Sequence, residues 1–192
     1  TVSVYVLPRI LAQLKQAEPN ITVELAASDQ SHNLLRREAD IAVRMYRPEQ
    51  LDVITRKITE YPIAMFAAHN YIERRGIPIT PGELLDHDII GYDRDDRLIT
   101  GLAKVGIHVT RDFFTCRMDD QIAYWECVAA GMGIGFTQKQ IGLADPRVQM
   151  VASPTTMPVL EVWLTAHAEL HQNRRVRRVY DFLAEKLAAA AV

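Results

Sequence analysis

The chain has 192 residues, of which 48% are hydrophobic and 24% are charged, enough for one large domain or two small lobes. The formal net charge is −2, with basic residues spread along the chain, which argues against a broad basic surface for nucleic acid. Neither an apolar run of about 18 residues nor a secretory leader occurs, so the sequence predicts no membrane span and no export. The two cysteines, Cys116 and Cys127, lie in apolar surroundings without a CxxC pair. We therefore expect buried, reduced thiols and a cytoplasmic location.

The first 45 residues alternate helical and strand-like patterns. Apolar residues at helical spacing and a stop at Pro19 predict a helix from residue 4 or 7 to residue 17. Alternation over residues 21–28 predicts a strand with one covered face. Ser28 or Asp29 then caps a short helix, and residues 39–45 form a buried strand. This order is typical of a parallel sheet flanked by helices.

The rest of the chain continues the alternation. The predicted strands are 61–69, 88–92, 113–118, 133–137, 148–151 and 159–167. The predicted helices are a short capped one after Thr80, then 94–106, 119–131, 139–146 and 174–190. In helix 119–131, Asp119 or Asp120 is the expected cap, and the apolar stripe is formed by Ile122, Trp125, Val128 and Ala129. In the strand 159–167, residues Val162, Leu164 and Ala166 share one face.

The glycine cluster CVAAGMGIGFTQKQ (127–140) suggests a nucleotide loop, but the order of elements is wrong for one. A dinucleotide fingerprint needs a strand before the glycines and a helix after them, and here the helix comes first. Gly131 fits a helix end with positive φ, and Gly133 and Gly135 fit a close backbone approach. The cluster therefore predicts a structural helix-to-strand junction.

Polar residues follow the ends of several predicted strands, and such ends form the ligand-binding edge of open parallel sheets. The residues are Ser28, Asp29, Arg44, Asp93, Arg94, Met118, Asp119, Asp120, Thr137, Gln138 and Gln140. Each of them could also be an ordinary loop residue or a helix cap.

Catalytic and metal-binding patterns are missing from the sequence. The six histidines show no HExxH motif, and no GxSxG elbow precedes a helix. The pairs Asp95–Asp96 and Asp119–Asp120 are adjacent, so their side chains diverge on a helix or strand. We expect no enzymatic activity, no cofactor and no metal.

The chain resembles the effector-binding domain of LysR-type transcriptional regulators. The resemblance rests on ordered segments over nearly the whole chain: LPRILAQLKQAEPNITVEL, LLRREADIAVRM, PIAMFAAHNYI, ELLDHDIIGYD, CVAAGMGIGF and RRVYDFLAEKL. It implies an α/β fold of the type II periplasmic-binding-protein kind, with two Rossmann-like lobes joined by two crossover strands, PIAMFAAH and VWLTAH. Lobe I would be residues 1–65 plus 167–192, and lobe II residues 66–166. The family's N-terminal winged helix-turn-helix is absent from this sequence.

Two departures from the family pattern affect the expected site. The first strand of lobe I is represented only by Thr1 and Ser3, and Thr137-Gln138 replaces the Leu-Pro that often follows the glycine strand. The polar pair would face the presumed interlobe cleft and alter ligand recognition.

The resemblance implies a sensor that binds a small metabolite in the interlobe cleft and controls transcription through a dimer or tetramer. The first helix and residues 21–27 of one subunit would meet helix 120–130 of its partner, and DNA would be bound only through the absent domain. The expected effector-binding residues are Ser3, Ser28, Arg44, Asp93, Arg94, Met118, Asp119, Thr137 and Gln138. The arginines favour an anionic effector. The alternatives are a solute-binding protein of a transport system and an enzyme on the same scaffold.

Overall fold

The computed structural model describes residues 1–27, 39–48, 53–152, 157–167 and 173–191, so Ser28 and the helix predicted after it lie outside the described residues. The chain divides into two compact units. Unit 1 comprises Thr1–Tyr61 and Val159–Val192, and unit 2 comprises Pro62–Pro158. The lobe boundaries expected after residues 65 and 166 lie four and eight residues C-terminal to the observed boundaries, which follow Tyr61 and Pro158.

Helices α2 (Leu7–Ala17) and α8 (Arg174–Ala189) follow the predicted patterns. Helix α1 (Val2–Tyr5) was not predicted and covers the segment expected to represent the first strand of lobe I. Leu7, Ile10 and Leu14 are buried on one face of α2, and the proline of this helix lies in its first turn, where no N–H is needed. Helix α8 packs against α2. Its Asn173 cap accepts a hydrogen bond from the Arg175 N–H.

The strand pair β1–β7 of unit 1 is antiparallel, which differs from the parallel sheet expected from the order of the first elements. Strand β1 (Ile41–Arg44) pairs antiparallel with β7 (Val159–His167), and β7 also neighbours β2 (Val53–Ala68). The predicted inward face of β7 is confirmed, because Val162, Leu164 and Ala166 are all 0% exposed.

The prediction of a strand over residues 21–28 is wrong for residues 21–27, the part that the structure describes. Residues 21–27 have no strand assignment, and Val23 and Leu25 are each 42% exposed. Alternation determines only which side chains share a face. A strand also needs a hydrogen-bonded neighbour, and residues 21–27 have none among the strands that the structure describes.

Unit 2 contains a sheet with one antiparallel member. Besides β2 from residue 62, its strands are β3 (Ile90–Gly91), β4 (Cys116–Arg117), β5 (Gly135–Gln138) and β6 (Val148–Val151). Strand β3 pairs parallel with β4, and the parallel bridge Ile89–Ile134 joins it to β5. Strand β2 pairs antiparallel with both β5 and β6. The resulting order is β4-β3-β5-β2-β6, so the parallel arrangement predicted for the glycine strand is confirmed.

Five helices connect these strands. They are α3 (His69–Arg75), α4 (Pro81–Leu84), α5 (Arg97–Lys104), α6 (Gln121–Ala129) and α7 (Lys139–Leu143). The predicted caps are present: Thr80 accepts from the Glu83 N–H, and Asp120 accepts from the first backbone N–H groups of α6. Of the predicted apolar stripe of α6, Trp125, Val128 and Ala129 are buried and Ile122 is half-buried.

The glycine cluster is a tight structural junction, as predicted. Gly131 has φ of +88°, which terminates α6. A Cβ on Gly133 would lie 2.5 Å from the Asp88 carbonyl oxygen. The backbone of the junction therefore runs directly against the strand that leads into β3.

Candidate functional site

The carboxyl ends of β3, β4 and β5 meet at one edge of the sheet of unit 2, because these three strands are parallel. We call the residues at these ends, 91–94, 117–119 and 137–140, the carboxyl edge. From β3 the chain continues to β4 on one side, and from β5 it continues through α7 to β6 on the other. The connections thus diverge between β3 and β5, and open α/β sheets bind ligands at such a switch point.

The Tyr124 hydroxyl is inserted between β3 and β5 just below this edge. It accepts a hydrogen bond from the Phe136 N–H (3.0 Å) and donates one to the Ile90 carbonyl (3.2 Å). In a regular parallel ladder that N–H would bond the carbonyl directly, as the Ile90 N–H bonds the Ile134 carbonyl at 3.0 Å. The hydroxyl therefore holds the two strands apart where they approach the edge.

Gly135 leaves room for the Tyr124 hydroxyl, and burial of this hydroxyl affects its protonation. A Cβ on Gly135 would lie 3.0 Å from the Tyr124 oxygen and 2.3 Å from the Val128 side chain. Desolvation raises the pKa of Tyr124 well above 10, so its hydroxyl stays protonated and can donate.

Asp119 organises the loop that follows β3. Its carboxylate accepts hydrogen bonds from the backbone N–H groups of Asp93 (3.1 Å) and Arg94 (2.9 Å) and from Arg94 Nε (2.8 Å). The backbone N–H and the guanidinium of Arg94 lower the pKa of Asp119 to about 2. The structure thus brings the predicted site residues Asp93, Arg94 and Asp119 together, and the Asp119 carboxylate binds the backbone of the other two.

The charged groups of the edge are paired with one another. Arg111 forms an ion pair with Asp93, and Arg117 Nε lies 3.7 Å from the same carboxylate. The Arg94 side chain is 87% exposed and bound to Asp119. The arginines of the described edge therefore already have carboxylate partners, which weakens their pull on an anionic ligand.

The buried polar groups of the edge are uncharged. Thr137 and Gln138 are only 4% and 5% exposed, and they form the last two positions of β5, which ends one residue beyond the strand predicted over 133–137. The Thr137 hydroxyl donates to the Gln138 side-chain oxygen over 3.1 Å. Met118 is half-buried, and its N–H donates to the Gly91 carbonyl, extending the pairing of β3 and β4.

The remaining predicted site residues belong to unit 1 or lie outside the described residues. Ser3 lies within helix α1, so it does not represent a first strand as expected. Arg44 ends β1, is 8% exposed, and donates to the Tyr46 hydroxyl at 2.9 Å, with its guanidinium 5.7 Å from that ring. Ser28 lies outside the described residues.

Sequence reasoning missed Tyr124, Arg111 and Arg117. Tyr124 lies among the apolar residues of α6. The role of its hydroxyl becomes clear only when the strands on either side of it are known. Arg111 lies between α5 and β4, in a segment that shows no periodicity, and Arg117 is the second residue of β4. Their pairing with Asp93 depends on loop geometry.

Other expected features can be compared with the described residues. Within them no group of three or more His, Cys, Asp or Glu could hold a metal ion, and no helix is long and apolar enough to cross a membrane. Cys116 and Cys127 are free thiols and half-buried. The expectation that they are buried is therefore wrong.

Comparisons with known proteins point to one family. The family model of the LysR substrate binding domain matches residues 1–188. The transcriptional activator AaeR of Escherichia coli is 25% identical over 146 residues, covering 71% of this chain and 45% of AaeR. An uncharacterised HTH-type transcriptional regulator of Haemophilus influenzae is 31% identical over 86 residues, covering 45% of this chain and 28% of that protein. The chain thus spans less than half the length of these curated relatives.

Solved structures establish the fold. The regulatory domain of CrgA from Neisseria meningitidis matches with a TM-score of 0.85 at 19% identity, covering 97% of this chain and 94% of that one. The effector domain of AmpR from Pseudomonas aeruginosa matches with a TM-score of 0.77 at 17% identity, covering 99% and 92%. The expected type II periplasmic-binding-protein fold is confirmed.

Proposed function

Because the chain belongs to the LysR substrate-binding domain family, we propose that it is the ligand-sensing domain of a bacterial transcriptional regulator. The family match over residues 1–188 carries this proposal. The relatives that it matches are transcriptional regulators, and this favours a sensor over a transport protein. The carboxyl edge, with a switch point between β3 and β5, is where the fold would bind an effector.

The finer parts of the proposal concern the complete protein. We propose that it works in the cytoplasm and binds DNA through a helix-turn-helix domain, since its relatives are HTH-type regulators. We further propose that it associates as a dimer or tetramer and has no catalytic activity of its own. Effector binding would then shift the equilibrium between two conformations by about 1–3 kcal/mol, enough to change operator occupancy several-fold.

An anionic effector remains part of the proposal, and Arg44 is the residue that supports it. A guanidinium presents forked donors that match a carboxylate. Arg44 is buried at the end of β1, where it donates a hydrogen bond to the Tyr46 hydroxyl. We propose Arg44 as the residue of unit 1 that would read a negative charge, with Ser3 and Ser28 as its companions.

Thermal unfolding of the 192-residue chain against a panel of small metabolites tests the proposal. A ligand at 100 times its Kd should stabilise the fold by about 2.7 kcal/mol. Thr137→Val removes one buried hydroxyl and should weaken binding of the metabolite about 2- to 10-fold. Thr100→Val is the matched control, because Thr100 is exposed on α5.

Two results would contradict the proposal. A panel without any stabilising metabolite would argue against a sensor, and consumption of a bound metabolite, followed by NMR, would show an enzyme. Sedimentation supplies a separate test, since a strictly monomeric full-length protein would contradict the proposed association.

A further inference from the structure

Gln140 carries a buried side-chain amide at the carboxyl edge. It is the second residue of α7 and follows the end of β5 at the carboxyl edge by two positions. Both its Nε2 and its Oε1 are shielded from solvent, and neither has a hydrogen-bond partner within the described residues. An unsatisfied buried donor or acceptor costs roughly 1–3 kcal/mol. An amide that bears this cost at the proposed ligand-binding edge is a candidate for contacting a ligand.

The packing of α7 does not require this amide. The helix begins without a side-chain cap, so Gln140 does not satisfy its first N–H groups. Its anchors are apolar: Ile141 is 5% exposed, and Gly142 lies so close to the Phe66 ring that a Cβ would be 2.3 Å from it. An apolar side chain at position 140 would hold α7 equally well.

The surroundings indicate the kind of group that this amide would recognise. The other buried polar side chains at this end of β5 are Thr137 and Gln138, which are uncharged. The arginines Arg94 and Arg111 are already paired with Asp119 and Asp93. A charged ligand group beside Gln140 would lose its hydration without gaining a counter-charge. A neutral group that presents a donor beside an acceptor would satisfy both amide atoms.

We infer that Gln140 determines specificity for an uncharged group of the effector that presents a hydrogen-bond donor next to an acceptor, as a primary carboxamide does. This inference rests on the proposed sensor function and deepens it. The effector would carry such a group toward unit 2, whatever charge it carries elsewhere.

The first test needs no ligand. Gln140→Met replaces the amide by an apolar side chain of similar length and should raise the Tm of the free chain by about 2–6 °C. Gln13→Met is the matched control, because Gln13 is exposed on α2 and the same change there should leave the Tm nearly unaltered. A lower Tm for Gln140→Met would show that the amide supports the fold, and this would overturn the inference.

The second test compares two probes of one skeleton, succinamide and succinate, by NMR titration of the ¹⁵N-labelled chain. We expect succinamide to shift the Gln140 side-chain signal and the backbone signals of residues 137–141, and Gln140→Met to abolish the backbone shifts. Succinate should leave these signals in place. Equal shifts with succinate, or no shifts with succinamide, would overturn the inference.

The metabolite panel separates this inference from the proposed function. For a stabilising metabolite, Gln140→Met should weaken binding about tenfold or more, since two hydrogen bonds are lost. Unchanged affinity would refute the role of Gln140 while the sensor function stands. A panel without any bound metabolite would instead contradict the sensor function itself.

Discussion

Replacing Tyr124 by phenylalanine tests the geometry of the crevice between β3 and β5 directly. The variant keeps the ring, which is 1% exposed, and removes only the hydroxyl. It therefore deletes the two hydrogen bonds, of 3.0 and 3.2 Å, that link the Phe136 N–H to the Ile90 carbonyl. No large cavity is created, so the effect reports on hydrogen bonding.

The expected cost follows from what the deletion leaves behind. A buried N–H without an acceptor costs roughly 1–3 kcal/mol, and the loss of the bond to the carbonyl adds about 0.5–1.5 kcal/mol. We expect the free energy of unfolding to fall by about 2–4 kcal/mol in total. Tyr61→Phe is the matched comparison, because the Tyr61 hydroxyl is buried and, among the described residues, donates to the Leu187 carbonyl at 3.0 Å. It should cost less, since no N–H is orphaned.

Urea unfolding measures both variants, and amide hydrogen exchange of Phe136 localises the effect. We expect faster exchange of that amide in Tyr124→Phe alone. A loss below about 0.5 kcal/mol, which is within the range of neutral substitutions, would refute the reasoning. It would mean that β5 closes onto β3 and restores the direct ladder bond, so the hydroxyl would not be needed to connect the strands.

Two further predictions concern the framework of unit 2. The hydrogen bond to the Arg147 guanidinium lowers the pKa of Asp145 from 3.8 to about 2, and the Asp145 side chain is only 10% exposed. This ion pair should contribute on the order of 2 kcal/mol to the free energy of unfolding above pH 4, and the contribution should be lost as the pH falls toward 2. Asp145→Asn should therefore flatten the curve of stability against pH over this range. An unchanged curve would contradict the prediction. Gly133→Ala should destabilise by about 1–3 kcal/mol in urea unfolding, because its Cβ meets the Asp88 backbone. Gly101→Ala meets nothing within 4 Å and should stabilise α5; an equal effect of both would refute the close approach.

Much of the fold was predictable from the sequence because its determinants are local. The apolar spacing of α2, the Asp120 cap of α6 and the positive φ of Gly131 depend on residues within a few positions of each other. The inward face of β7 likewise follows from alternation, since burial of Val162 and Leu164 needs only a covered side.

The same kind of pattern misled the prediction over residues 21–27. The alternation there is as regular as in β7, yet Val23 and Leu25 are exposed and no strand forms. Strand pairing is a contact with a distant segment, and alternation carries no information about whether that segment is in place.

The candidate site was predictable as a set of strand ends and unpredictable as a set of contacts. Asp93, Arg94 and Asp119 were expected at one edge because parallel strands end together. That Asp119 would hold the backbone of Arg94, and that the arginines would be paired with carboxylates, depended on loop paths with no sequence period.

The amino-acid sequence alone determined helices such as α2, α6 and α8, because short-range spacing and caps encode them, and its ordered segments carried the family resemblance. Only the tertiary structure decided that the Tyr124 hydroxyl separates β3 from β5 and that the Gln140 amide is buried without a hydrogen-bond partner among the described residues. Both are properties of where residues distant in sequence come to lie, and hydrogen bonding and burial exist only once the chain has folded.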